Sequence, residues 1–221
     1  MKKTRIFIAC DTRNLVKVKK IINQSKTNKI KIGYKFGLEF MNSKNGRKYL
    51  AKLRKKIIFV DLKLNDTVNT MLSAVKALKD IKINYLTVHI SSGLAALKAV
   101  KKISGSTRIV GVTTLTSLNN NDLKLIGYNK SVKNLVTHQA KLAKKANLDA
   151  LVCSPYEVSA VRKIFKKEII TPGVQIGKKN YDQKRSMEAK KVNSDWLVIG
   201  RAITARGNIK KNIQNLIEKL R

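Results

Sequence analysis

The sequence predicts an α/β fold, a single-domain (β/α)8 TIM barrel over residues 1–221. Three observations predict it. Eight short apolar runs rich in β-branched residues recur along the chain. Segments with helical periodicity separate them. No Pro/Gly/Ser-rich linker, block of like charge or low-complexity tail splits the chain into halves. At 221 residues the barrel is compact for this architecture. An open, doubly wound sheet is the alternative that the same alternation allows.

The first run, Arg5–Asp11, follows a basic start but is too short for a secretory signal core and lacks a small-residue cleavage site, so it reads as a strand. The others are Lys29–Phe36, Ile57–Lys63, Tyr85–Ile90, Arg108–Leu115, Ala150–Ser154, Ile169–Val174 and Trp196–Arg201. Most are continuously apolar (IIFVDLK, YLTVHI, LVIGR), the pattern of parallel strands covered by helices. Between them, Val68, Met71, Leu72, Val75 and Leu78 fall on one helical face of Asp66–Asp80. Ile209, Ile213, Leu216, Ile217 and Leu220 do the same near the C-terminus.

Composition narrows the function classes. Lys and Arg number 48 against 13 Asp and Glu, a net charge of +35, yet 43% of residues are hydrophobic, enough for a packed core and against disorder. The lysines are spread over the polar faces of predicted helices, and aromatics, at 5%, do not alternate with them. Stacking platforms for bases are therefore scarce. The charge reads as solvated surface that draws polyanions weakly and favours phosphorylated small molecules, with no specific nucleic-acid partner. No apolar run is long enough to cross a bilayer. Cys10 and Cys153 lie inside apolar runs and form neither a disulfide framework nor a metal-binding spacing, as in a reduced, cytoplasmic protein.

A barrel carries its active site at the C-terminal ends of its strands. The polar residues there are Asp11 on strand 1; Lys31 and Lys35 on strand 2; Asp61, Lys63, Asn65 and Asp66 at strand 3; His89 on strand 4; Thr116 and Ser117 after strand 5; Gln175 after strand 7; and Gly200 and Arg201 at strand 8. Between Glu39 and Asp80 the only acids are Asp61 and Asp66, and they flank Lys63. Residues 61 and 63 of a strand face the same side, so the carboxylate and ammonium lie together at the barrel mouth. Acids on either side keep Lys63 charged and able to donate a proton. A structural ion pair for Asp61–Lys63, and a helix N-cap for Asp66, are the alternatives. His89 reads as a packed strand residue and His138 as a surface one.

The stretch Phe59-Val60-Asp61-Leu62-Lys63-Leu64-Asn65-Asp66-Thr67-Val68-Asn69-Thr70 resembles the signature of the orotidine 5'-monophosphate decarboxylase family, typically F-x-D-x-K-L-H-D-I-P-N-T. The resemblance extends through Ala9-Cys10-Asp11, Lys31-Ile32-Gly33, Thr87-Val88-His89, Val112-Thr113-Thr114-Leu115-Thr116-Ser117, Val152-Cys153-Ser154, Thr171-Pro172-Gly173-Val174, Asp182-Gln183-Lys184-Arg185 and Ile199-Gly200-Arg201-Ala202-Ile203. Asn65 replaces the usual His, Thr67-Val68 replaces Ile-Pro, and Gln175 stands where bacterial members usually carry Arg.

The resemblance implies conversion of orotidine 5'-monophosphate to uridine 5'-monophosphate and carbon dioxide, with no metal or other cofactor, by a homodimer. Carried over, Lys31, Asp61 and Lys63 of one chain and Asp66 of the other form an alternating charge network, with Lys63 as proton donor. Asp11 binds a ribose hydroxyl, and Thr116 and Ser117 face the pyrimidine. Thr70 reaches across the interface. Gln175, Gln183, Gly200 and Arg201 take the phosphate. Rival readings are a metal-dependent keto-sugar-phosphate decarboxylase or hexulose-phosphate synthase of the wider suprafamily, and a basic RNA-binding protein on a degenerate enzyme scaffold.

Overall fold

The structure is a computed structural model that describes residues 5–53, 55–175, 187–188, 192–204 and 207–220. All eight expected runs form strands of one closed parallel barrel. The first seven are β1 (Arg5–Ala9), β2 (Lys31–Gly37), β3 (Ile57–Leu64), β4 (Tyr85–His89), β5 (Arg108–Val112), β6 (Ala150–Val152) and β7 (Glu168–Thr171). The two-residue strands β8 (Val174–Gln175) and β9 (Met187–Glu188) pair outside the barrel, and β10 (Trp196–Ile199) closes it between β7 and β1. The closing register sets Ile6 against Leu197 and Phe7 against Val198.

The seventh run ends earlier than its apolar pattern suggests. Pro172 has no amide to give a strand ladder, and Gly173 turns the chain at φ 77°, so Val174 belongs to the outer pair instead of the barrel. Helices cover the outside. Asp66–Asp80 is helical over Val68–Ala77, with Met71 and Val75 buried, and the C-terminal helix runs over Ile209–Leu220 on its expected apolar face. The N-cap of the first of these is Thr67, one residue after Asp66, for which a cap is the alternative reading.

Side chains fill the barrel interior in layers. Phe7 stacks on Trp196 at 4.1 Å between centroids, and Phe59 and Tyr85 pack against Phe7 at 4.9 and 5.3 Å. Gly33 makes room for this layer, because a Cβ there would meet the Phe7 ring at 2.5 Å. At the N-terminal end, Glu168 accepts from the Tyr85 hydroxyl (2.8 Å) and from Arg5 (2.9 Å). The aromatic layer therefore floors the barrel, and the C-terminal half stays open for a site.

Candidate active site

A cavity of about 530 Å³ opens at the C-terminal mouth, with Phe59 and Val198 in its floor. Asp11, Lys35, Asp61 and Lys63 line it from β1 to β3, and Gly200, Arg201 and Thr204 line it after β10. The first four form a continuous chain of alternating charge. Lys35 Nζ lies 2.9 Å from both oxygens of Asp11 and 3.4 Å from Asp61 Oδ2. Lys63 Nζ donates to the same Asp61 Oδ2 at 3.0 Å. Asp11 Oδ1 also accepts the amide of Gly37 at 3.2 Å, which ties the end of β1 to the end of β2.

Electrostatics holds Asp61 and Lys35 ionised. Burial works against the charged form of Asp61, but Lys35, Lys63 and a hydrogen bond from Thr87 outweigh it and bring the pKa below the ordinary value. Burial likewise works against Lys35, and Asp61 and Asp11 outweigh it, so the ammonium holds its proton more tightly than usual. Burial, and then the charge of Lys63, push His89 downward. His89 Nδ1 shares a 2.6 Å hydrogen bond with Ser91. The Cys10 thiol, buried beside Asp11, is pushed up to about 12, so it stays protonated.

Asp61 and Lys63 meet as strand alternation suggests, but by another route. β3 is irregular between Val60 and Leu64, and Lys63 has a left-handed φ of 50°. Alternation alone does not describe such a bulge.

The expectation for Lys31 is corrected. Lys31 is the exposed first residue of β2, paired with Arg5 at the N-terminal end of the barrel. Four residues of strand carry the chain about 13 Å to the mouth, where Lys35 takes the network position. Asp66 and Thr70 are exposed; Asp66 accepts the amide of Thr67, and the Thr70 hydroxyl bonds that of Thr67 at 3.0 Å. Neither lines the cavity of its own chain. Thr116 lines it, whereas Ser117 is exposed outside the lining. The backbone of Gln175 is in β8; its side chain and all of Gln183 lie outside the described residues. Among the described residues, no three His, Cys, Asp or Glu side chains gather as metal ligands.

Sequence reading missed the roles of Lys35, Gly37 and Thr87. Lys35 had a signal: β2 ends at Gly37, so of two lysines on one strand face the later one is nearer the mouth. Thr87, buried inside β4, had none.

A parallel barrel with ionised side chains converging at the C-terminal mouth, over a packed floor, has the build of an enzyme acting on a small molecule. The model of the orotidine 5'-phosphate decarboxylase / HUMPS family matches residues 4–216, and the chain belongs to that family. Among curated relatives, orotidine 5'-phosphate decarboxylase of Wolbachia pipientis (strain wPip) is 38% identical, covering 97% of this chain and 98% of its own. The enzyme of the Wolbachia of Brugia malayi is 39% identical, covering 97% of each chain. These full-length matches place the chain among the family's decarboxylases, which are carboxy-lyases. Among solved structures, orotidine 5'-phosphate decarboxylase from Lactobacillus acidophilus superposes with a TM-score of 0.82 at 27% identity, covering 99% of each chain.

Proposed function

We propose that this protein decarboxylates orotidine 5'-monophosphate to uridine 5'-monophosphate and carbon dioxide, the last step of de novo pyrimidine synthesis, without metal or cofactor. The observation that carries the reading is the Asp11–Lys35–Asp61–Lys63 chain at the mouth, with Gly200 and Arg201 lining the same cavity after β10, the strand next to β1. The family membership and the named relatives supply the reaction.

The geometry suits the chemistry. Loss of carbon dioxide leaves an electron pair on a ring carbon, and a fixed ammonium stabilises that charge as it forms. Lys63 supplies the ammonium and then the proton. Asp61 stays ionised and lies against the substrate carboxylate, which disfavours the bound ground state. Lys35 balances both aspartates, and Asp11 takes a ribose hydroxyl. The four charges that one chain supplies sum to zero, and their protons belong to the group as a whole. Thr116 faces the ring, with Ser117 next to it in sequence. Arg201 forks onto the phosphate, where Gly200 leaves space for close approach; Gln175 and Gln183 add neutral donors there.

The site is completed in a homodimer. Asp66 and Thr70 are exposed beside the β3 mouth and reach the partner's cavity, where Asp66 closes the charge network. The protein is cytoplasmic in this reading, and Cys10 and Cys153 are both buried. Among the described residues no helix is long and apolar enough to cross a membrane.

The direct test follows pyrimidine absorbance after mixing the protein with orotidine 5'-monophosphate in chelator. Loss of the substrate band is expected. Turnover that requires an added divalent ion would move the protein to the metal-dependent branch of its family.

A further inference from the structure

On β3 and β4, Val60 pairs with Leu86, and the next registered pair is Leu64 with Val88. The excess length on β3 holds Asp61 and Lys63, and Lys63 sits in the left-handed region, disfavoured for any residue with a Cβ. A strained backbone persists only where its surroundings fix it. Opposite the bulge, inside the barrel, is Thr87, fully buried. Its hydroxyl accepts the backbone amide of Lys63 at 2.7 Å and donates to Asp61 Oδ1 at 3.0 Å. Asp61 Oδ2 is thereby left to face both ammonium groups. The neighbours of Thr87 on the same strand face are engaged elsewhere, Tyr85 with Glu168 and His89 with Ser91.

We propose that Thr87 is the positioning residue of this site: one hydroxyl locks the Lys63 backbone and the Asp61 carboxylate into a single geometry, so that the ammonium enters the cavity from a fixed direction. The inference rests on reading Asp61 and Lys63 as the reacting pair. It assigns Thr87 no contact with substrate. A valine keeps the shape but leaves a buried amide and a carboxylate oxygen without this partner, and it frees Lys63 to leave the left-handed region.

Asp61 is faced by Lys63 on its own strand, by Lys35 of β2 with Asp11 behind it, by the Thr87 hydroxyl of β4, and by His89 beyond Lys63. Losing the hydroxyl raises the carboxyl's affinity for protons. The acid limb of the rate profile therefore moves to higher pH.

The test compares wild type, Thr87→Val and Thr87→Ser for kcat and KM across pH, with circular dichroism for folding and hydrogen exchange at the Lys63 amide. Thr87→Val is expected to lose about 100-fold in kcat, with KM changed less than about threefold and the acid limb raised. Thr87→Ser, which keeps both hydrogen bonds, is expected to return to within about fivefold of wild type. A folded Thr87→Val with wild-type kcat and pH profile would overturn the proposal, whatever its melting temperature. So would a Lys63 amide that exchanges in wild type as fast as an unprotected one. If wild type itself does not decarboxylate, the functional reading falls. The positioning claim then stands or falls on that amide, expected to be slow in wild type and Thr87→Ser and fast in Thr87→Val. If Thr87→Val does not fold, wild type and Thr87→Ser decide in the same way.

Discussion

Lys35 shows how much one buried cation does. It touches two carboxylates, and its side chain is 11% exposed. Removing it strands Asp11 and Asp61, and Lys35→Ala is expected to cost about 3–5 kcal/mol in urea unfolding together with most turnover. Lys31→Ala, at the far end of the same strand, should stay within about 0.5 kcal/mol of wild type with unchanged kcat. Equal losses from the two variants would return the network position to Lys31. Lys63→Ala is expected to lose at least about 1,000-fold in kcat, measured with saturating substrate. The pH dependence follows from signs. Asp61 has a lowered pKa, so its contribution to stability is present above the unfolded value of 3.8 and is lost as pH falls through the lower folded value. Lys35 has a raised pKa, so its contribution is present below 10.5 and is lost as pH rises through the higher folded value. The difference in unfolding free energy between wild type and Lys35→Met should be flat between these limits and shrink beyond each, as denaturant titrations at several pH values would show.

At the scale of strands and turns, the site depends on where each strand stops. Gly37 ends β2, and a Cβ there would lie 2.8 Å from Asp11 Oδ1. That oxygen is the end of a side chain and moves easily, so Gly37→Ala is expected to fold but to pull Asp11 off Lys35. A KM raised about tenfold, with a melting temperature close to wild type, is the expected result. The eight barrel strands were legible because parallel strands buried on both faces leave apolar runs that no surface segment imitates. The Asp61–Lys63 pair was legible from the scarcity of acids around it. The bulge that joins the pair was not. Leu62, Lys63 and Leu64 include no glycine or proline to mark a left-handed turn, and its support comes from Thr87, which lies 24 residues further along. The choice between Lys31 and Lys35 failed for a related reason. Strand parity places both on one face, and what tells them apart is distance from the strand's C-terminal end, which favours Lys35.

For the whole molecule, charge and assembly are what matter. A net charge of +35 draws a phosphorylated substrate from beyond contact range, but salt screens that field within about 10 Å at 0.1 M. Raising ionic strength should lower kcat/KM and leave kcat unchanged, which steady-state assays in increasing potassium chloride would read. Assembly has its own test. If Asp66 completes the neighbouring cavity, inactive Lys63→Ala and inactive Asp66→Asn chains should regain activity when unfolded and refolded together. Random pairing leaves about a quarter of the cavities intact. No recovery would place Asp66 outside the partner's site. Finally, the protein's only tryptophan, Trp196, stacks on Phe7 in the floor, with the Arg5 guanidinium 4.9 Å from its ring, and it does not border the cavity. It sits where the last strand zips against the first. Its emission is thus a native optical gauge of ring closure: blue and steady while a nucleotide comes and goes above it, and red only once the seam between the chain's two ends parts.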